Sequence, residues 1–193
     1  MRSSDLPASA AWRHQDARQG FEVLHIRQQR SGCRLQGYTA AVEDGGAWVV
    51  GYDIDVAESW LVRTAQVWAD STGGLQRVRL DTDGAGNWQV NDTPAPHLDG
   101  CLDVDLESSA CTNTLPVHRL QLRTGGVAAS PAAYVRAPDL AVERLEQTYA
   151  RVNDDRTGQR YDYTAPRFDF ACRLVYDDAG LVIDYPGIAR RVH

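Results

Sequence analysis

The feature that most constrains this chain is a side-chain period of two that returns along its length. In residues 48–56, one side carries Trp48, Val50, Tyr52, Ile54 and Val56, and the other carries Gly51, Asp53 and Asp55. Such alternation describes a strand with one buried face. Residues 60–68 place Trp60, Val62, Thr64, Gln66 and Trp68 on one side. Residues 76–81 set Val78 and Leu80 against Arg77, Arg79 and Asp81, and residues 101–107 and 119–123 alternate as well. Between these runs stand Glu43-Asp44-Gly45-Gly46, Ser71-Thr72-Gly73-Gly74, Asp81-Thr82-Asp83-Gly84 and Asp177-Asp178-Ala179-Gly180. Gly and Asp supply the positive φ and local side-chain bonds of tight hairpins. The spacing predicts an antiparallel, locally connected sheet, and the lack of βαβ alternation disfavours a parallel one. Residues 91–100 and 153–159 read as loops, and residues 1–10 as a lead-in.

Two readings of residues 141–152 stand side by side. Ala141, Val142, Leu145, Tyr149 and Val152 follow helical spacing, with Glu143, Arg144, Glu146 and Gln147 as helix formers and Asp139 placed to cap. Pro138 and the flanking runs frame one more strand equally well.

Length and charge remove several functions. With 193 residues, one domain spanning 1–193 is expected, able to bury its own core. The net charge is −6 and every basic residue apart from His is Arg. That leaves no basic footprint for nucleic acid and no polybasic cluster for anionic membranes. No run reaches the roughly 20 apolar residues of a membrane helix. Residues 1–15 lack the apolar run of a signal peptide, so a cytoplasmic location is expected. Cys33, Cys101, Cys111 and Cys172 show no metal-ligand spacing and read as free thiols. No cofactor or metal motif is present; the calcium-like Asp81-Thr82-Asp83-Gly84 has Asp92 where a bidentate Glu is needed.

The densest polar constellation is the run 98–107. On a strand, Asp103, Asp105 and Glu107 share a face at about 6.8 Å steps. Three carboxylates in a row repel, so they need Arg, water, a cation or hydroxyl groups. A solvated edge-strand face would also satisfy them. Thr112, Asn113 and Thr114 follow, short hydrogen-bonding side chains suited to turns and caps or to sugar hydroxyls, and Arg119 is available to neutralise the acids. Of the tryptophans, most suit the core; Trp12 and Trp60 flank polar residues and are the candidates for stacking on a sugar ring.

Leu98-Asp99-Gly100-Cys101-Leu102-Asp103-Val104-Asp105-Leu106 followed by Thr112-Asn113-Thr114-Leu115-Pro116-Val117-His118-Arg119-Leu120 resembles the signature of the bacterial Putative glycolipid-binding family, first catalogued as a domain of unknown function. The resemblance extends to Trp12, Gly20-Phe21-Glu22, Gly37, Tyr52, Trp60-Leu61-Val62-Arg63-Thr64, Gly86-Asn87-Trp88, Tyr149, Arg151 and the run 180–186. His118 stands where Arg is expected, which removes a permanent charge beside Arg119. The resemblance implies a mainly β fold, a long curved antiparallel sheet wrapped around a single helix. It also implies a half-barrel similar to lipoprotein-carrier folds, a tight homodimer and an acidic pocket. On that basis a glycolipid or other glycoconjugate is expected to place its sugar among Asp103, Asp105, Glu22, Arg63, Asn113 and Arg119, with Trp12 or Trp60 stacking. Two alternatives are a glycoconjugate hydrolase or lyase using paired carboxylates, and a structural or regulatory dimer whose acids pair internally with Arg63 and Arg119.

Overall fold

The computed structural model describes residues 6–156 and 158–193. Among them the strands are β1 (Ser9–His14), β2 (Gln19–Gln29), β3 (Gly32–Glu43), β4 (Gly46–Ala57), β5 (Val62–Ser71), β6 (Gly74–Thr82), β7 (Trp88–Val90), β8 (Thr93–Pro94), β9 (Asp103–Leu106), β10 (Val127–Ala129), β11 (Ala132–Val135), β12 (Val142–Leu145), β13 (Thr148–Asp155), β14 (Gly158–Ala165), β15 (Phe170–Tyr176), β16 (Val182–Tyr185) and β17 (Ala189–Arg191). Fourteen form one sheet in the order β10-β13-β14-β15-β16-β17-β1-β2-β3-β4-β5-β6-β7-β8, and β12-β11-β9 form a second. The antiparallel pair β1–β17 joins the two ends of the chain in the middle of the large sheet. The large sheet is open, with β8 and β10 as its edges.

The period-two runs at 48–56, 60–68, 76–81 and 101–107 fall on β4, β5, β6 and β9. In β4, Trp48, Val50, Tyr52, Ile54 and Val56 are all buried. In β5 the phase changes: Asp55 pairs with Thr64 but Val56 pairs with Val62, so Arg63 is an extra residue, a β-bulge. A one-residue insertion turns every later side chain to the opposite face. Val62 therefore faces inward, but beyond the bulge Ala65, Val67 and Ala69 do, and Trp68 turns outward.

The open reading of residues 141–152 resolves as strands β12 and β13, and other expectations change. The single α-helix of the described residues, α1, is Thr114–Leu120, entered through a 3-10 turn at Cys111–Asn113; residues 119–123 are therefore not a strand. Pro116 sits in the helix's first turn, where its missing N–H costs nothing. Of the expected loop 153–159, residues 153–155 end β13 and residues 158–159 begin β14, with Asp155 paired to Gly158, and residue 157 lies outside the described residues. Strands β9 and β11 pair in parallel, and the crossover between them carries α1. The alternation of strands alone gave no place for this βαβ unit.

The large sheet wraps around the segment that leads into α1. From one half, Thr39 donates to the Ser108 carbonyl at 2.6 Å and the Glu22 carboxylate accepts from the Ala110 N–H at 2.7 Å. From the other half, the Tyr176 hydroxyl donates to the Asn113 carbonyl at 3.1 Å and Tyr149 donates to the Asn113 side chain at 2.8 Å. Strands far apart in the sheet meet one short segment, which requires a curved sheet. Residues Thr114 through His118 of α1 are all buried inside it. All four cysteines are free, Cys172 half-buried and the others buried. Among the described residues no helix is long and apolar enough to cross a membrane.

Candidate functional site

Strand β9 is covered on both faces, so all four of its residues are buried and its acids are not a solvated row. Each acid of the run has a different fate. Asp103 takes Arg119 in a two-pronged pair, Nε to Oδ1 at 3.0 Å and Nη2 to Oδ2 at 2.5 Å, and accepts from the Ser130 hydroxyl at 2.7 Å. Glu107 accepts from the Ala137 N–H at 2.9 Å and lies 3.5 Å from Arg18. Asp105 receives neutral donors only, the Thr112 hydroxyl at 3.0 Å and the Gln147 amide. Among the described residues no ion pair reaches it. Burial, with Asp103 and Glu107 adding repulsion, pushes its carboxyl up to about 6 against the pull of those two hydrogen bonds.

Asp105 lines a cavity of about 280 Å³. Its walls come from distant parts of the chain. Tyr134 is the parallel register partner of Asp105 in β11. Tyr163 (β14), Phe170 (β15) and Tyr185 (β16) stand mutually edge-on at 6.0–6.2 Å between ring centres. Phe168, in the 3-10 turn Pro166–Phe168, meets Tyr134 at 5.5 Å and is itself exposed. Asn113, Leu145 and Ile188 add to the lining, and Arg18, Glu43 and Glu107 supply charge.

Of the eight residues singled out from sequence, the structure brings Asp105 and Asn113 to this cavity and places the others elsewhere. Glu22 is fully buried and accepts from the Tyr52 hydroxyl at 2.6 Å, from Ser109 and from the Ala110 N–H. Burial pushes its carboxyl upward against those bonds. It ties the loop after β9 to the sheet. Gly37 makes this possible: a Cβ there would lie 2.2 Å from the Tyr52 ring, which crosses that position to reach Glu22. Asp103 and Arg119 satisfy one another. Arg63, at the bulge, contacts the Ser31 carbonyl at 2.8 Å and Asp55 at 3.5 Å. Trp12 is buried in the core and donates to the Val182 carbonyl at 2.9 Å. Trp60 stacks on buried His118 at 3.7 Å and 14°. The departure at His118 is thus filled by a ring that packs on tryptophan; burial lowers its pKa to about 4, so it is neutral there.

The sequence reading missed Arg18 and the ring of Tyr134, Tyr163, Tyr185, Phe168 and Phe170. The one available signal was that tyrosines alternate inward through β14, at 161 and 163. The tryptophans drew the search instead, and they are core.

Comparison with known proteins places this geometry in a family. A family model described as Putative glycolipid-binding matches residues 9–191. A solved DUF1089 family protein from Pseudomonas aeruginosa is similar over 89% of this chain and 92% of its own, at 32% identity and a TM-score of 0.76. A solved beta-barrel-like protein of domain DUF1849 from Brucella abortus matches at 12% identity and a TM-score of 0.48, over 95% of this chain and 92% of its own. No curated protein matches. With its fold, its buried acidic strand and nearly its whole length inside that family model, the chain belongs to the Putative glycolipid-binding family.

Proposed function

We propose that the chain binds the sugar of a glycolipid in the Asp105 cavity without transforming it. One observation carries the reading: Asp105 alone of the three acids lacks a cationic partner and lines a recess ringed by aromatic side chains. Carboxylates accept hydrogen bonds from hydroxyls, and aromatic faces cover the apolar side of a sugar ring. The volume is near the low end of the roughly 300–1,000 Å³ typical of small-molecule pockets. It suits a headgroup and leaves an acyl chain outside, where exposed Phe168 offers apolar surface.

Replacing Asp105 with Asn keeps the shape and removes the charge. D105N is expected to weaken saturable binding of an alkyl glycoside at least tenfold, measured by titration calorimetry, with the fold intact by circular dichroism. Unchanged binding would rule the cavity out as the sugar site.

The homodimer implied by the resemblance has a candidate surface on the outer face of β2–β5, bounded by Asp70 and Arg77. Val23, Tyr38, Gly51 and Trp68 form one rung across four strands, and Phe21, Ala40 and Val49 the next. Phe21, Val23, Tyr38 and Val49 are exposed. A contiguous apolar face of this kind is suited to a second copy.

A further inference from the structure

We infer that the cavity selects a sugar bearing an acetamido group, whose N–H donates to Asp105 and whose carbonyl oxygen accepts from the Asn113 carboxamide. This rests on the sugar-binding reading of the same cavity and specifies its ligand class.

Asn113 lines the cavity and is 2% exposed. Both of its oxygens are taken. The main-chain carbonyl accepts from the Tyr176 hydroxyl at 3.1 Å, and Oδ1 accepts from the Tyr149 hydroxyl at 2.8 Å. These two bonds hold the carboxamide with Oδ1 toward Tyr149. Its nitrogen, Nδ2, has no hydrogen-bond partner among the described residues, and it is not one of the unpartnered side-chain atoms that the fold seals from water. Nδ2 therefore opens on the cavity that Asn113 lines. It is a donor without an acceptor inside the protein, and a ligand oxygen supplies one.

Asp105 is the complementary acceptor in the same cavity. Its Oδ1 accepts from Thr112 at 3.0 Å and its Oδ2 from Gln147, and a carboxylate has about four acceptor positions, so some remain. Gln147 is 2% exposed; it aims its nitrogen at Asp105 and its Oε1 lies 3.5 Å from the Tyr149 hydroxyl. The chain Asp105–Gln147–Tyr149–Asn113 thus fixes the acceptor and the donor together. An ammonium group meets Asp105 but sets donor against donor at Asn113. A phosphate or carboxylate meets Asn113 but repels Asp105, Glu43 and Glu107, which line the cavity with Arg18 as its cation. A hydroxyl serves both groups only where they converge on one oxygen. A secondary amide carries its N–H and its carbonyl oxygen on separate atoms and has no net charge. Its methyl adds apolar area for the wall of Tyr163, Phe170 and Tyr185.

The test titrates octyl β-glucoside and β-galactoside, below micelle formation, against their 2-acetamido-2-deoxy and 2-amino-2-deoxy counterparts, which keep ring and chain. At least one acetamido glycoside is expected to bind at least tenfold more tightly than its hydroxyl parent and its free amine, the low end of the about 10–200-fold that one buried methyl contributes. N113D keeps the oxygen that accepts from Tyr149 and removes the donor. It is expected to shrink the acetamido preference to less than threefold, a ratio in which any general loss of affinity cancels. Y149F keeps the ring and frees the carboxamide to turn, and is expected to cut the same ratio at least threefold; it replaces N113D if circular dichroism shows that N113D does not fold. A parent or amino glycoside that binds as tightly as the acetamido one, or a full preference retained by the folded variants, overturns the inference and leaves the cavity standing as a sugar site. No saturable binding of any glycoside by the wild type overturns both readings.

Discussion

At the scale of single residues, Asp103 and Asp105 show how two positions on one strand divide structure from recognition. Asp103 is 2% exposed and shares its charge with Arg119. Removing one member of a buried pair strands the other. D103N is therefore expected to cost about 3–5 kcal/mol in urea unfolding, far more than D105N. Asp105 gives a pH signature instead. Its carboxyl is held up to about 6 in the folded chain, against about 3.9 unfolded. The folded state thus favours the protonated form. This contribution is complete below about pH 4 and is lost as pH rises through about 6. Between pH 4 and pH 7.5 wild type is expected to lose up to roughly 3 kcal/mol of unfolding free energy relative to D105N. A gap independent of pH would show that Asp105 ionises normally. The acids themselves were legible in the sequence as a group needing partners. Which acid received Arg119 was not, because Ser130 and Arg119 reach Asp103 only through the fold.

At the scale of elements, α1 ends on Gln121 at φ 45° and ψ 45°, with its N–H bonded to the Val117 carbonyl. A Cβ in that left-handed region is strained, and glycine removes the strain. Q121G is expected to raise stability by about 1 kcal/mol, read as a higher melting temperature; a fall would show that the Gln side chain contributes more than its backbone costs. Strand identity was readable wherever one face met solvent, as in β4. It held for β9, although both faces of that strand are buried, failed at residues 119–123, where α1 ends, and lost phase in β5 at the Arg63 bulge. The residues 141–152 satisfy both helical and strand spacing; pairing of Ala133 with Arg144 and of Tyr149 with Tyr163 decides for strands.

At the scale of the whole molecule, the open sheet keeps short edges. Strand β8 has two residues, one of them Pro94, and β10 has three. Short terminal strands and proline limit pairing there, and the proposed homodimer is expected to use the outer apolar face. Light scattering on a sizing column is expected to give twice the 21.3 kDa chain mass. V23E together with Y38E is expected to halve that mass while retaining the β circular dichroism. A wild-type mass of one chain would dismiss the interface. The sequence by itself determined a mainly β chain, acidic, with its free thiols and one unusual group of carboxylates, because alternation and charge are local properties carried by neighbouring residues. Only the tertiary structure decided where the recess lies, since Arg18, Asp105, Tyr134, Tyr163 and Tyr185 are separated by long stretches of chain and converge through the curvature of the sheet, a property that no single strand's pattern encodes.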